Sequence, residues 1–397
     1  MPSNTLGAGP LSAAALPLAL FFAVTVEMAP AGALAHIAAA LHTDIGSAAA
    51  GSSIYALSTA FLALPLAGFA QRFDLRNATI IAGLSFTVLG LAAAAAPGLT
   101  GYLAFRALNG TAHAAFFPLV LALAAAAAPR NTAQAVARVL LGNGLALALG
   151  VPAAEALAAL DWRLPLALAS LGVAAAVSFA PHPVPQEGGI TEKPAERSPA
   201  GIVWLAALFA LALAGHFAYY TFLAAAVEAQ GLPAALVLSL YGAAVIAATA
   251  FSGPIARQNR LGRAVAVIAI ESLVLAAMAT VPGPATTIIA AVTAGACFGF
   301  LPTLIQTEML EQAPQHRALV SGAAVVAFNT GIAVGAVSGA TVTGFSTNAP
   351  SLLGSALLVL SAVGLATART FARKQIVPGT QDSDEAELGT ASGQYAN

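Results

Sequence analysis

The chain has 397 residues, of which 59% are hydrophobic and 8% charged, and its formal net charge is −1. Soluble domains carry roughly 25% charged residues, so a surface this poor in charge faces lipid rather than water. The near-neutral balance, with no dense basic cluster, speaks against a nucleic-acid partner. A single cysteine, Cys297, excludes an internal disulfide and any multi-cysteine metal site.

A membrane-crossing helix needs about 20 mainly apolar residues. In chain order such runs fall near 13–37, 48–71, 77–97, 102–128, 133–159, 164–181, 201–228, 233–256, 263–281, 284–312, 317–344 and 350–372. The N-terminal stretch, MPSNTLGAGPLSAAALP, lacks the basic region of a secretory signal, so the first run reads as a retained span. Many runs are rich in Ala and Gly, which suit close helix packing in lipid. Their weak hydrophobicity leaves the third, sixth and ninth runs least distinct.

Charge placement supports twelve spans. With both termini in the cytoplasm, the inside loops hold Arg72, Arg76, Arg130, Arg138, Lys193, Arg197, Arg257, Arg260, Arg263, Arg317, Arg369, Arg373 and Lys374, which is 13 of the 15 Lys and Arg. Only Arg163 falls outside, and Arg106 falls within a span. This is the bias of the positive-inside rule.

Residues 182–200, HPVPQEGGITEKPAERSPA, are polar and rich in Pro and charge, as in a linker. They separate a first six-helix lobe at 1–181 from a second at 201–374, and residues 375–397 have the composition of a disordered cytoplasmic tail. The lobes repeat. Gly68 matches Gly253 at an offset of 185, Pro118 matches Pro302 at 184, Ala128-Pro129 matches Ala313-Pro314 at 185, and Gly144 matches Gly331 at 187. The expected fold is an all-α membrane protein of twelve transmembrane helices in two six-helix pseudo-repeats. Such repeats with a site near the midplane are a transporter architecture.

Several stretches resemble the twelve-span drug:proton antiporter branch of the major facilitator superfamily, and within it the arabinose-efflux-permease-like and purine-nucleoside-efflux-like exporters. The first span reads TVEMAPAGALAHIAAAL, similar to that group's Glu-x-x-Pro-x-Gly-Leu-Leu pattern. Arg106-Ala-Leu-Asn109-Gly110 resembles the fourth-span Arg-x-x-x-Gly motif, and Gly144-x5-Gly150-Val151-Pro152 resembles the fifth-span antiporter motif. Asp161-Trp162-Arg163 is like the family's Gly-Trp-Arg. His216-Phe-Ala-Tyr-Tyr220-Thr in the seventh span and Ala327-Phe328-Asn329-Thr330-Gly331 in the eleventh extend the likeness across about residues 15–372. One departure stands out. The loop after the second span reads Gly68-Phe-Ala-Gln71-Arg72-Phe-Asp74-Leu-Arg76, with Gln71 where the family has Asp and Asp74 where it has Gly. The resemblance implies a monomeric plasma-membrane exporter, with no cofactor, that couples a sugar, nucleoside or drug-like solute to protons; the alternative is a proton-coupled importer or facilitator, or a non-transporting membrane sensor of the same fold. Gly68, Arg72, Asp74 and Arg76 would then help gate it.

Charges within lipid cost roughly 2.5–3.5 kcal/mol on insertion scales, so each needs a reason. Glu27 lies mid-span, where desolvation penalises its charge, which suits a group that takes a proton from one side and releases it to the other. The alternative is a carboxyl fixed in helix packing. Arg106, Asn109, Gly110 and His113 share one helix face. Arg106 either pairs with Glu27 or snorkels to the outer interface. His113 either joins the proton path or serves as a hydrogen-bonding packing residue. His216, Tyr219 and Tyr220 share a face of the seventh span, and Thr303, Gln306 and Thr307 one of the tenth. With Asn109 and Asn329 these either line a substrate path or act as interhelical polar glue. Gly144, Gly150 and Pro152 permit close approach and a kink, a mechanical role in rocking. Glu155 lies near the outer end of the fifth span, Glu308 and Glu311 near the inner end of the tenth, where water reaches them. Glu271, deep in the ninth span, has no role beyond a buried polar contact. No P-loop, HExxH or GxSxG signature is present, so the sequence points to a secondary transporter rather than an ATP-driven pump or a membrane enzyme.

Overall fold

The computed structural model describes residues 10–70, 72–128, 132–184, 200–256, 259–312 and 317–375, and among these there are helices and no strand. Apolar content enforces this, because in lipid every backbone N–H and C=O must be satisfied within the segment. In the first half the helices are α1 (Pro10–Gly32), α2 (Leu34–Ala40), α3 (Ile45–Ala70), α4 (Leu75–Ala94), α5 (Leu99–Ala127), α6 (Thr132–Leu145), α7 (Val151–Ala158) and α8 (Arg163–Ser178). In the second they are α9 (Ala200–Tyr220), α10 (Leu223–Glu228), α11 (Ala234–Ile255), α12 (Arg260–Thr280), α13 (Pro284–Gln312), α14 (Arg317–Val342) and α15 (Ala349–Gln375). A bend at Ala33 joins α1 to α2 in the first span. A wider π-turn, Ala146–Gly150, joins α6 to α7 in the fifth.

Eleven stretches are long and apolar enough to cross a membrane. The expected sixth span is shorter: α8 has 16 residues, which reach about 24 Å at ~1.5 Å per residue. The twelve expected crossings are therefore eleven full-length spans and one short apolar helix. Most of linker 182–200 and nearly all of tail 375–397 lie outside the described residues, as do Gln71, Pro129, Arg130, Lys193, Arg197, Arg257, Ala313 and Pro314.

The two halves pack alike. In the first, α3 packs on α5, α5 on α4, α4 on α8, α8 on α1 and α1 on α6. In the second, α11 packs on α13, α13 on α12, α12 on α15, α15 on α9 and α9 on α14, the same circuit helix for helix. The halves meet where α3 packs along α14 and where α11 packs on the π-turn and α7. Two glycines set equivalent crossings. A Cβ on Gly110 of α5 would sit 2.2 Å from the Tyr55 carbonyl of α3, and one on Gly295 of α13 would sit 2.4 Å from the Tyr241 carbonyl of α11. The pairs are 185 and 186 residues apart.

The same geometry corrects one repeat landmark. Gly144 is not the counterpart of Gly331. Gly142 lies against the Pro17 carbonyl of α1 as Gly331 lies against the Ala210 carbonyl of α9, and Gly150 meets Thr25 as Gly339 meets the Ala218 carbonyl. Both pairs are 189 apart. Gly144 instead faces Ile246 across the boundary between the halves.

The crossing at Gly110 is made by backbone, which cannot swing aside. Gly110→Ala should therefore lower the stability of the detergent-purified protein by about 1–3 kcal/mol, the range for an overpacked core. A Cβ on Gly253 would meet nothing within 4 Å, so Gly253→Ala should be neutral or gain up to about 1 kcal/mol of helix propensity. Thermal unfolding of the two variants side by side checks this, and a G110A protein as stable as wild type would contradict the crossing.

Candidate functional site

The site begins with a backbone defect in α1. Pro30 has no N–H, so the carbonyl four residues earlier, Val26 O, loses its helical donor. Arg106, reaching across from α5, supplies one. Its Nη1 donates to Val26 O at 3.0 Å, Nη2 to Glu27 O at 3.1 Å and Nε to Gly51 O of α3 at 3.3 Å. The guanidinium also lies 4.2 Å from the centroid of the Tyr55 ring. Arg106 is wholly buried, so it does not snorkel. It pins α1, α3 and α5 at one point.

Glu27 follows from this arrangement. Its backbone carbonyl, not its carboxylate, takes the Arg106 hydrogen bond. The sequence-based pairing of the two side chains is corrected accordingly: Pro30 leaves Val26 O without its helical donor, and the guanidinium bonds that carbonyl together with Glu27 O and Gly51 O. The carboxylate feels the Arg106 charge through space and sits 3.8 Å from His113 Nδ1. That nitrogen is hydrogen-bonded to the Tyr55 hydroxyl. Phe86 and Phe117 wall the imidazole. Glu27 is 9% exposed, and what it meets is a crevice between the halves lined by Glu27, Ser52 and Tyr55 on one side and Phe217, Tyr220 and Thr221 on the other. The crevice holds about 10 Å³, room for roughly one water.

A second polar cluster lies in the other half. His216 Nδ1 of α9 is 2.5 Å from Glu271 Oε1 of α12, and His216 Nε2 is 2.9 Å from the Tyr241 hydroxyl of α11. The imidazole is stacked between Phe298 and Tyr220, with centroids 4.7 and 5.9 Å away. Glu271 therefore has a defined partner. Sequence reasoning missed Tyr55, Tyr241 and the reach of Glu271. One available signal was that Tyr55 and Tyr241 recur at nearly the repeat offset.

The other expected residues separate. Asn109 donates to Phe86 O of α4 at 2.8 Å, and Asn329 donates to Val325 O of its own helix at 3.1 Å, so neither side chain lines the crevice. Tyr219 is buried outside the crevice and Tyr220 lines it. Thr303 and Thr307 line a separate cleft of about 370 Å³ with Gly253, Ala256, Arg260 and Glu311. Gln306 lines neither space. Glu308 and Glu311, expected to be merely solvated, are paired with Arg260. Gly150 packs on Thr25 and buried Pro152 opens α7. In the loop after the second span, Gly68 lies in the last turns of α3 and Arg72 is exposed. Asp74 accepts from Asn77 N at 2.9 Å as the N-cap of α4, and Arg76 donates to Ala180 O at 2.9 Å. Outside the spans, Asp44 caps the start of α3, and the Ser47 hydroxyl and amide hold its carboxyl below the usual range.

Residues 16–336 match the family model described as the Major Facilitator Superfamily. No curated protein matches the chain. Among solved structures it is similar to a bacterial homolog of the human lysosomal transporter Spinster in an inward-facing, unoccupied conformation, with a TM-score of 0.73, 14% identity, and coverage of 92% of this chain and 99% of that one. It is also similar to the nucleoside transporter NupG, with a TM-score of 0.71, 13% identity and coverage of 89% and 99%. The POT family transporter PepTSo gives a TM-score of 0.69 at 13% identity, with coverage of 91% and 97%. At these identities the likeness is one of fold.

Removing the guanidinium would strand Val26 O in a dry site and take the side-chain donor from Glu27 O and Gly51 O. Arg106→Ala should cost about 3–5 kcal/mol, the range for breaking a buried ionic contact. Arg106→Lys should recover little of it, because a single ammonium cannot span three acceptors. In a Pro30→Ala background an amide again reaches Val26 O, so the cost of Arg106→Ala should fall by about 1 kcal/mol. A double-mutant cycle on thermal unfolding measures this coupling, and additive effects would disconnect the arginine from the proline.

Proposed function

The chain belongs to the Major Facilitator Superfamily, a family of membrane transporters rather than enzymes, and from that premise we propose that it exports a small organic solute in exchange for protons by alternating access. One observation carries the reading. Among the described residues Glu27 is the single carboxylate lining a crevice between the two halves, with a buried cation behind it and a histidine beside it. In that position it exchanges its proton with whichever side the crevice opens toward. Arg106 favours the ionised form, and burial favours the neutral one. Opening and closing of the crevice changes that balance, so the protonation of Glu27 and the position of the halves are linked.

In this cycle the proton enters on Glu27 from outside, is carried as the halves rock, and leaves toward the cytoplasm as solute is taken up there. Tyr55, Ser52, Tyr220 and Thr221 offer hydroxyls and two aromatic faces to a sugar, nucleoside or drug-like solute. Their mixed polar and aromatic character favours neutral or weakly charged molecules. Asn109 acts one layer out, through the α4–α5 contact it braces, while Asn329 and Gln306 reach solute when the halves open. The loop around Arg72, Asp74 and Arg76 and the fifth span around Gly144, Gly150 and Pro152 are where the halves gate. The bias of loop Lys and Arg supports both termini in the cytoplasm of a plasma-membrane protein, with the single chain as the transport unit.

The test is collapse of an imposed pH gradient in proteoliposomes on addition of sugars, nucleosides or amphiphilic drugs. Wild type should dissipate the gradient with at least one class, and Glu27→Gln should abolish that response while leaving solute–solute exchange in part. Undiminished gradient-driven efflux by E27Q would sink the assignment of Glu27.

A further inference from the structure

Each half contains one glutamate, one histidine and one tyrosine in a single cluster, built around equivalent tyrosines. In the first half the Tyr55 hydroxyl meets His113 and Glu27 stands beside that imidazole. In the second the Tyr241 hydroxyl meets His216, which is paired with Glu271. Tyr55 and Tyr241 hold the same place in the repeat, because each lends its carbonyl to the glycine crossing of its half. The residues around them do not correspond one for one: the repeat position of His113 is occupied by Phe298, 185 residues on. The second cluster is therefore not a copy of the first but the same chemistry assembled from different helices.

Two features distinguish Glu271. It is 0% exposed and its Oε2 has no hydrogen-bond partner. No Lys or Arg among the described residues forms an ion pair with it, whereas Glu27 has Arg106 nearby. The groups around the cluster from every packed element are uncharged or weakly acidic. They are Tyr219 and Tyr220 on α9, Tyr241 on α11 and Cys297 on α13, and among the described residues no titratable group of α14 or α15 joins them. A histidine and a glutamate sharing one proton are together neutral, and withdrawing that proton leaves one uncompensated negative charge in a dry site. Burying such a charge is costly. A purely structural contact would be served as well by the amide oxygen of a Gln, which carries no charge. The chain instead keeps an ionisable pair whose outlet faces the crevice: Tyr220, stacked on His216, lines it opposite Glu27.

We propose that His216, Glu271 and Tyr241 form a second proton-binding centre, which holds one proton in the C-terminal half while Glu27 serves the N-terminal half. The incoming proton takes the bare Glu271 Oε2 or His216 Nε2, with Tyr241 turning its hydroxyl from donor to acceptor in the second case. No covalent bond between heavy atoms changes. The proton leaves by the same atoms when rocking opens the Tyr220 side of the crevice. This inference extends the antiport reading, but the titration of the centre is measurable with no solute at all.

The experiment is pH-difference infrared spectroscopy of the protein in lipid. Wild type should give two carboxyl signals and an imidazole signal. Glu271→Gln should remove one carboxyl signal and shift the imidazole, and Glu27→Gln should remove only the other carboxyl. Tyr241→Phe, which keeps the ring, should displace the Glu271 signal on the pH axis, so a fold-damaged E271Q would not decide the matter alone. Carboxyl and imidazole signals unchanged in both E271Q and Y241F would overturn the proposal and leave a fixed packing contact. A Glu271 signal in a protein that collapses no pH gradient would uphold the centre and sink the antiport reading instead.

Discussion

A carbonyl without a donor in the middle of a membrane is the constraint on which this architecture turns. Pro30 creates it, and Arg106 answers it at the expense of burying a cation. The arginine's fork then takes carbonyls from both α1 and α3, so three helices become one rigid corner. Glu27, Tyr55 and His113 project from that corner, and their mutual distances follow from it. A cation buried this deeply demands a nearby anion. The carboxylate of Glu27 meets that demand without a direct bond, and so stays available for other chemistry.

The second half solves the same packing problem with different chemistry. Its helices cross at equivalent glycines, yet the position of Arg106 has no cationic counterpart: 185 residues on stands Ala291. Polar cohesion there comes instead from His216 with Glu271, and from the Ser272–Ser355 pair that ties α12 to α15. Duplication thus preserved the backbone circuit and left the side chains free to diverge. The crevice between the halves is asymmetric for that reason, with an acid on one wall and aromatic rings and hydroxyls on the other.

Much of the fold was legible in the sequence because lipid leaves so few options. Apolar runs located the spans, and only α8, cut short, fell below full length. Glu27 and Arg106 stood out because ionised groups are rare in such runs. Their relation did not: which carbonyls Arg106 serves depends on where α1 and α3 cross α5, and spacing along one helix says nothing of that. Glu271 was equally opaque. A ninth span packed at the outside of its half gives no hint that one side chain turns inward to α9. The misreading of Gly144 has a similar cause. In helices built from Ala and Gly many small residues fit a repeat offset, and only the neighbour across the interface tells which one carries the contact. Asp74 looked like a displaced gating charge, and its geometry is that of a helix cap.

The contact between the halves at Gly242 has a further meaning. A Cβ there would lie 2.1 Å from the Ala148 Cα and 2.5 Å from the Leu147 carbonyl, so main chain touches main chain where α11 meets the π-turn. A bearing made of backbone is indifferent to which side chains line the crevice. Side-chain changes along the crevice leave this contact untouched, and any residue larger than glycine at position 242 disturbs it whatever lines the crevice. The chemistry of the crevice and the packing that joins the halves are thereby set by separate parts of the chain, one by side chains and the other by main chain.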